Sequence, residues 1–484
     1  MSIYILLIIA IYFGIILLIS HVVSRKSSDN DAFFLGNRKS PWYIVAIGML
    51  GDSISGVTFV AVPGMVGTFD MTYMQMVLGF FPGYLIVAFV LLPLYYKLNL
   101  TSIYGYLEKR FGICSYKTGA SFFILSRIIG SASKLYLVAL ILQVLVFDQW
   151  HIPFWATVMG IIILIWAYTF RSGMKTIVWT DALQTICLLA ALGLIIWQVS
   201  SRLDFNFSDA VSAITQSEHS RIFEFDWVSR QNFFKQFLSG ILIVIVMTGL
   251  DQNMMQKNLT CRNIKDAQKN MVTYGFGFIP MNYIFLALGI LLLLFASKFN
   301  IELPEKSDEI LPMLASEYLG LPVLIFFTIG IVAASFSNAD SALTSLTTSV
   351  CVDLLNVKKD NSKAKKTRFK VHALVSLIFL ITILLINHIG QSNILDTIYK
   401  AASYTYGPLL GMFFFGLFTK LQLRDRWVPI ICILAPILSF VLESWLMRMF
   451  SYRVGYEILL INGLFTIIGL CIISERSEST LIDK

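Results

Sequence analysis

Long apolar stretches alternate with short polar segments along almost the whole chain. Each stretch runs for roughly 20 residues, which is long enough to cross about 30 Å of hydrocarbon as an α-helix. The pattern predicts an all-α polytopic membrane protein with about thirteen transmembrane helices. The predicted spans cover residues 3–22, 41–68, 71–96, 118–147, 153–170, 176–198, 234–255, 271–296, 322–350, 371–389, 394–418, 427–447 and 456–473.

The order of the spans indicates an internal repeat. After one extra N-terminal helix at 3–22, five predicted helices lie in residues 41–198 and five in residues 234–418, and two C-terminal helices follow in residues 427–473. Five is odd and the loops alternate between the two sides, so the two groups have opposite orientations, as an inverted repeat requires. We therefore expect residues 1–484 to form one transmembrane domain.

Charge adds an orientation to this picture. The chain is 57% hydrophobic and 14% charged, with a net charge of +8. By the positive-inside rule, loops rich in Lys and Arg are cytoplasmic. This predicts a multi-pass protein of the cell (inner) membrane with its N-terminus outside, its C-terminus in the cytoplasm and the loops 201–233 and 298–320 outside. The basic clusters lie in residues 25–39, 97–117, 257–269 and 358–370.

Polar and helix-weakening residues interrupt the second span. Its middle reads Gly-Asp-Ser-Ile-Ser-Gly-Val-Thr at residues 51–58, and Pro63-Gly64 follows. A continuous helix is not expected there. Backbone carbonyls freed by an unwound turn need partners inside the membrane, and a desolvated cation at the end of a half-helix is one such partner. A tight helix–helix contact made by small residues is the alternative interpretation.

The ninth span carries a polar stripe where lipid would favour apolar side chains. Spacings of three or four residues place its members on one helix face. Neutral oxygens from Ser and Asn suit a weak, releasable site for a monovalent cation. Hydrogen bonding between helices explains the stripe equally well. The stripe consists of Ala334, Ser337, Asn338, Ser341 and Ser345.

Several short motifs, in order over residues 32–418, resemble the sodium/solute symporter family. The resemblance implies two inverted five-helix repeats and a symporter that imports a small organic solute with Na+ by alternating access. Members of the family carry sugars, proline, pantothenate, sialic acid, iodide and vitamins. The motifs are DAFFLGNR at 31–38, YLEKRFG at 106–112, SGMKT at 172–176, WTD at 179–181, GLDQ at 249–252, QK at 256–257 and GPLL at 407–410.

The resemblance also implies a shared sodium site. By position, its ligands are the carbonyl oxygens of Gly51, Ile54 and Ala334 and the side chains of Ser337 and Asn338. Asn338 departs from the family pattern, which has Ser or Thr at this position. An amide oxygen can still bind sodium, although affinity or ion choice then differs.

A second sodium site is implied for some relatives. Asp181, Asp340 and Ser341 occupy the corresponding positions here. A carboxylate inside a membrane is costly, which makes it a functional candidate. The alternative for Asp181 is a salt bridge to a buried basic residue, for which Lys134 is available.

The expected solute positions differ from those of galactose transporters. Where sugar-transporting relatives have Gln, Glu and Asn, this chain has Thr58, Val77 and Asp251. Ser53, Ser55 and Thr58 instead resemble the hydroxyl set of sialic-acid-transporting relatives, although Val77 replaces a Gln of that pattern. These positions point to sialic acid or another polar carboxylate as the solute.

Two basic residues of the third core helix could serve such a carboxylate. Arg127 and Lys134 are seven residues apart and therefore lie on one helix face, while Tyr73 keeps an aromatic ring of the sialic-acid pattern. Either cation could bind the solute. Either could equally neutralise Asp52 or Asp251.

Other functions need features that the sequence lacks. An enzyme needs a catalytic constellation, and the chain has no HExxH, GxSxG or His/Asp cluster. A channel needs a filter or charged ring, which is also missing. The main alternative is a sodium symporter for a neutral sugar, polyol or amino acid. We expect a non-enzyme whose partners are a small-molecule solute, sodium and the lipid bilayer, without nucleic acid.

Overall fold

The computed structural model of the protein describes residues 2–24, 30–170, 173–357, 362–389, 394–450, 452, 454–455 and 457–475. The part described is almost entirely helical. Its one sheet is a short antiparallel pair, β1 (Gln422–Leu423) with β2 (Ser474–Glu475). Arg25, Lys26, Ser172 and Lys358, which belong to predicted loop clusters and motifs, lie outside the described residues.

The N-terminal half contains eleven α-helices up to residue 202. The second predicted span is divided into three of them, and the third into two that flank a π-helical turn at Val87–Leu91. They are α1 (Ser2–Ser24), α2 (Asn30–Leu35), α3 (Trp42–Ser53), α4 (Gly56–Gly64), α5 (Val66–Phe69), α6 (Tyr73–Ile86), α7 (Leu92–Lys97), α8 (Gly105–Arg110), α9 (Ile113–Leu142), α10 (Phe154–Thr169) and α11 (Met174–Arg202).

The C-terminal half contains ten more α-helices in the described residues. Two of them, α12 and α16, lie in the long segments 201–233 and 298–320 that separate the spans. The set comprises α12 (Phe207–Gln216), α13 (Phe233–Val244), α14 (Gln252–Leu259), α15 (Ile264–Lys298), α16 (Ser307–Met313), α17 (Leu321–Ser349), α18 (Ser362–Ile389), α19 (Ile394–Phe418), α20 (Val428–Phe450) and α21 (Ile458–Ile472).

Many of these helices are suited to a bilayer. In the described residues, 7 helices are long and apolar enough to cross a membrane, or up to 9 if each bent pair counts as one span. Three shorter apolar helices cover Ile9–Val23, Phe154–Thr169 and Ile458–Ile472. The predicted all-α polytopic class is confirmed, whereas the count of about thirteen crossings stays a prediction.

Two spans are sharply bent in the middle. The axes of α3 and α4 differ by 59°, and the span that contains α13 differs from α14 by 64°. The first bend is the predicted interruption. The second falls inside residues 234–255, which hydrophobicity alone predicts as one continuous crossing. Each bend lies in the first helix of a predicted repeat, as expected for an inverted repeat with discontinuous helices.

Small residues bring α3 close to α11 at the centre of the bundle. A Cβ atom built on Gly51 would lie 2.1 Å from Oγ1 of Thr185, so only glycine fits this contact. The Thr185 hydroxyl donates to the carbonyl of Ile47 at 2.9 Å and joins the two helices. Helix α11 also packs against α17. This packing places Asp52 and Asp181 beside the polar stripe of α17.

Candidate sodium and solute site

The turn between α3 and α4 leaves carbonyl oxygens without donors. The amide of Ile54 donates to Leu50 at 3.0 Å, and the next backbone bond on the other side runs from Phe59 to Ser55 at 3.1 Å. Among the residues that the structure describes, no donor bonds to the carbonyl oxygen of Gly51 or Ile54. Unpaired carbonyls inside a membrane are costly, so this turn can accept a bound cation.

The polar stripe of α17 faces this turn. The Asn338 side-chain amide donates to the backbone carbonyl of Asp52 at 3.1 Å and to its Oδ1 at 3.3 Å. Oδ1 of Asn338 is itself buried and has no partner in the described part of the chain. Ser337 and Ala334 are buried on the same helix. A buried oxygen without a donor is a suitable ligand for a hard cation such as sodium.

A buried lysine lies between two aspartates beside this turn. The ammonium of Lys257 is 2.5 Å from Oδ2 of Asp181 and 3.1 Å from Oδ2 of Asp52. The structure contains the buried salt bridge that the sequence offered as the alternative for Asp181, but the partner is Lys257 and not Lys134. The sequence counted Lys257 in the basic loop cluster at 257–269, and this is wrong for Lys257, which is buried in α14. Residue order alone does not show that α14 packs against α3 and α11.

The three residues of the implied second sodium site lie together. The hydroxyl of Ser341 is 3.3 Å from both Oδ2 of Asp181 and Oδ1 of Asp340. Ser337 donates to Oδ1 of Asp181 at 2.7 Å, and Tyr168 donates to Oδ2 of Asp340 at 2.8 Å. All five side chains are buried, so protein hydroxyls replace water around these carboxylates.

The predicted hydroxyl set of the solute site lies on both sides of the first bend. The Ser53 hydroxyl is 2.5 Å from that of Tyr274, which is 2.8 Å from the hydroxyl of Tyr84. Oγ of Ser55 and Oγ1 of Thr58 are 3.5 Å apart at the start of α4. Ser53 and Thr58 are partly exposed, whereas Ser55 is buried.

The predicted basic residues of α9 have different surroundings. Arg127 places Nη1 3.7 Å from Oδ2 of Asp251, which also accepts from Tyr406. Oδ1 of Asp251 caps α14 by accepting from the Met254 amide at 3.0 Å. Lys134 is partly exposed and makes no ion pair within the described residues. Asp251 is thus fully buried and held by protein partners.

A cavity of about 610 Å³ opens beside α4 and α6, and Tyr73 lies on its wall. The segments 201–233 and 298–320 both contribute to it, so it opens on the side of the molecule that carries these long segments. Burial raises the pKa of the Asp308 carboxyl on this wall, because low-dielectric surroundings disfavour the ionised form. Its other charged residues are Arg230, Lys235, Lys400, Glu443 and Glu457.

Solved transporter structures share this fold. A substrate-bound, outward-open sodium-coupled sialic acid symporter superimposes with a TM-score of 0.81 at 20% identity, over 98% of this chain and 99% of the other. A closed nucleobase-cation-symport-1 family transporter gives a TM-score of 0.54 at 15% identity, over 89% and 91% of the two chains. These likenesses concern the fold.

Relatives with known functions match most of the chain. A sodium/sialic acid symporter of Aliivibrio fischeri is 24% identical over 84% of this chain and 82% of its own length. One from Proteus mirabilis is 23% identical over 84% and 83%. The sodium/iodide cotransporter of Homo sapiens is 25% identical over 81% of this chain and 62% of its own length.

The family itself follows from a match over most of the sequence. The sequence profile of the sodium:solute symporter family matches residues 33–422 of this chain. This range includes both bent spans, the polar stripe of α17 and the aspartates beside Lys257. The resemblance found in the sequence motifs is therefore confirmed, and the chain belongs to the sodium:solute symporter family.

Proposed function

We propose that the protein imports a small organic carboxylate, such as sialic acid, together with sodium. Sodium-coupled symport follows from the family. One observation in the structure supports a carboxylate as the solute. In this proposal the repeats at 41–198 and 234–418 move relative to each other and expose the site alternately to the two sides of the membrane.

The decisive observation is the unpaired edge of the buried Arg127 guanidinium. Nη1 is directed to Asp251, whereas Nε and Nη2 are buried without a hydrogen-bond partner among the described residues. Nε and Nη2 form the side of a guanidinium that binds both oxygens of a carboxylate in parallel. Leaving these donors unpaired costs free energy that an anionic solute would recover.

The other proposed solute contacts come mainly from neutral groups. Ser53, Ser55 and Thr58 supply hydroxyls at the first bend, and Tyr73 supplies a ring and a hydroxyl on the cavity wall. Lys134 lies two helical turns from Arg127 and adds positive charge near the same region. Hydroxyls beside a cation suit a solute that carries several hydroxyls and one carboxylate. Two relatives of this chain are named as sodium/sialic acid symporters.

Sodium is the second cargo, and its proposed ligands are neutral. They are the carbonyl oxygens of Gly51, Ile54 and Ala334, the hydroxyl of Ser337 and Oδ1 of Asn338. The free oxygens at the first bend support this assignment. A neutral oxygen set binds a monovalent cation weakly enough to release it after transport.

Uptake into proteoliposomes tests the proposal. We expect radiolabelled sialic acid to accumulate only when an inward sodium gradient is imposed. Unlabelled free acid should inhibit this uptake more strongly than its methyl ester. Arg127→Gln should raise the KM for the acid by about 10- to 150-fold, since a charge-assisted bond contributes about 1.5–3 kcal/mol. Lys134→Met is the matched control and should have a smaller effect.

The methyl ester decides whether Arg127 acts on the carboxylate. Acid and ester should compete equally well in Arg127→Gln, because the group that distinguishes them is gone. A preference for the acid that survives in Arg127→Gln would rule out the proposed contact. Accumulation that needs no sodium would overturn the sodium coupling.

The orientation in the membrane is also a proposal. The basic loops favour an external N-terminus and a cytoplasmic C-terminus in the inner membrane. In a background without native cysteines, an impermeant thiol reagent applied outside whole cells should label Ser217→Cys and spare Ser362→Cys. The reverse labelling pattern would invert the topology.

A further inference from the structure

We propose that the ammonium of Lys257 is a tethered cation that occupies the second cation position at Asp181, so that the protein transports a single sodium ion. This inference rests on the proposed sodium symport and concerns its stoichiometry. Asp181, Asp340 and Ser341 then form a cation site whose occupant, in this conformation, is part of the protein itself.

The surroundings of Lys257 carry the inference. The residue is only 1% exposed, although lysine is strongly hydrated and rarely buried without a role. Its nitrogen is 2.5 Å from Asp181 and 3.1 Å from Asp52, and both carboxylates are buried. A buried ammonium in such contact with two carboxylates is fixed as a charge in the centre of the protein.

The ammonium binds the same carboxylate that the implied second sodium would use. Oδ2 of Asp181 accepts from both Lys257 and Ser341, and Oδ1 of the same carboxylate accepts from Ser337. Sodium and ammonium carry the same charge and approach carboxylate oxygens closely. A sodium ion at Asp181 would therefore lie within a few Å of the ammonium in a low-dielectric interior, where the two repel strongly.

The arrangement also links this position to the shared sodium site. Oδ2 of Asp52 pairs with the Lys257 ammonium. The Asn338 amide donates to the backbone carbonyl and to Oδ1 of the same aspartate. Asn253 of α14 donates to Oδ2 of Asp52 at 2.8 Å. Lys257 thus connects α14 in the second predicted repeat with α3 and α11 in the first. Its charge offsets an aspartate that directly follows Gly51, a proposed sodium ligand.

Direct measurement of bound sodium tests this role. The full-length transporter, purified in detergent, is titrated with ²²Na+ and the number of bound ions per protein is determined. We expect one ion for the wild type and two for Lys257→Met, because a neutral side chain of similar length opens the Asp181 position. The double variant Lys257→Met/Asp181→Asn should return to one. Lys257→Arg, which keeps the charge, should also bind one.

Two further variants keep the test decisive. Lys134→Met removes a lysine charge that is not paired with Asp181 and should leave one bound ion. Asp181→Asn in the wild-type background should likewise bind one ion. This variant provides the test if Lys257→Met does not fold. A wild type that binds two ions, with one lost in Asp181→Asn, would overturn the inference, as would a folded Lys257→Met that binds one.

The outcomes separate this inference from the symport proposal. A wild type that binds no sodium contradicts the proposed function itself. A wild type that binds two ions is consistent with sodium symport and contradicts only the inference that Lys257 acts as a tethered cation.

Discussion

The two bent spans begin the two predicted repeats, yet their freed backbone groups have different partners. At the second bend, the carbonyl of Gly249 accepts from Tyr95 at 2.8 Å and that of Leu250 accepts from Tyr104 at 3.0 Å. Asp251 caps the helix that follows. The carbonyl oxygens of Gly249 and Leu250 are therefore satisfied by the protein.

At the first bend, the carbonyl oxygens of Gly51 and Ile54 have no donor within the described residues, and Oδ1 of Asn338 lies nearby without a partner. An interrupted helix therefore does not by itself predict a cation site. Oxygens that the protein leaves unsatisfied are the feature that indicates one. On this account sodium belongs to the first bend alone, and variants at the two bends should differ in their dependence on sodium.

Asp251→Ala should have the largest effect and should act on stability. It removes the cap of α14 and leaves the Arg127 guanidinium without its counter-ion, which for a buried pair costs about 3–5 kcal/mol. Thermal unfolding in detergent should show a large loss of Tm, equal in sodium and in choline buffer. Asp251→Asn keeps a capping oxygen and should show a smaller loss of Tm. A loss confined to sodium buffer would place the ion at the second bend as well.

Tyr104→Phe should have an intermediate effect of the same kind. It leaves the Leu250 carbonyl buried without a donor, at a cost of about 1–3 kcal/mol. Tyr106→Phe is a matched control, since its hydroxyl has no bond to the bend. Sodium affinity, measured by titration, should not change in either variant. Weaker sodium binding in Tyr104→Phe alone would show that the two bends are not independent.

Asn338→Thr should have the smallest effect. A hydroxyl oxygen replaces the amide oxygen, so sodium keeps a ligand, and we expect sodium affinity to stay within about tenfold, or roughly 1.4 kcal/mol. The hydrogen bonds from Asn338 to Asp52 are lost at the same time. Comparing sodium with lithium in the titration would show whether the amide sets ion choice. Complete loss of binding would mean that the amide has a role beyond supplying one oxygen.

Patterns local to the chain were sufficient to predict the first bend. Glycine and short polar residues are concentrated at 51–58, and spacing alone placed Ser337, Asn338 and Ser341 on one face of α17. The second bend was not predicted because Gly249 and Asp251 follow an apolar run and precede the polar residues Gln252 and Asn253, a pattern typical of the end of a span. Its stability comes from Tyr95 and Tyr104, whose hydroxyls approach from elements far away in sequence.

Partners across the bundle could not be predicted from one sequence. Lys257 and Asp181 are 76 positions apart, and their contact depends on how α14 packs against α3 and α11. The sequence placed Arg127 and Lys134 on one face correctly in terms of spacing. It could not show that Arg127 pairs with Asp251 and Lys134 does not, because this depends on where the second bend places the Asp251 side chain.

The sodium site at the first bend is tested most directly by the sodium dependence of solute binding in Ser337→Ala. Loss of one neutral oxygen from a roughly five-coordinate site should weaken sodium binding by about 1–3 kcal/mol, or about 5- to 150-fold. Calorimetry should show solute affinity at fixed sodium falling in step, since linkage is reciprocal. Ser345→Ala, with its hydroxyl bonded to Ala342 on the same helix, is the control. A folded Ser337→Ala with the sodium dependence of the wild type would contradict a sodium site at the first bend.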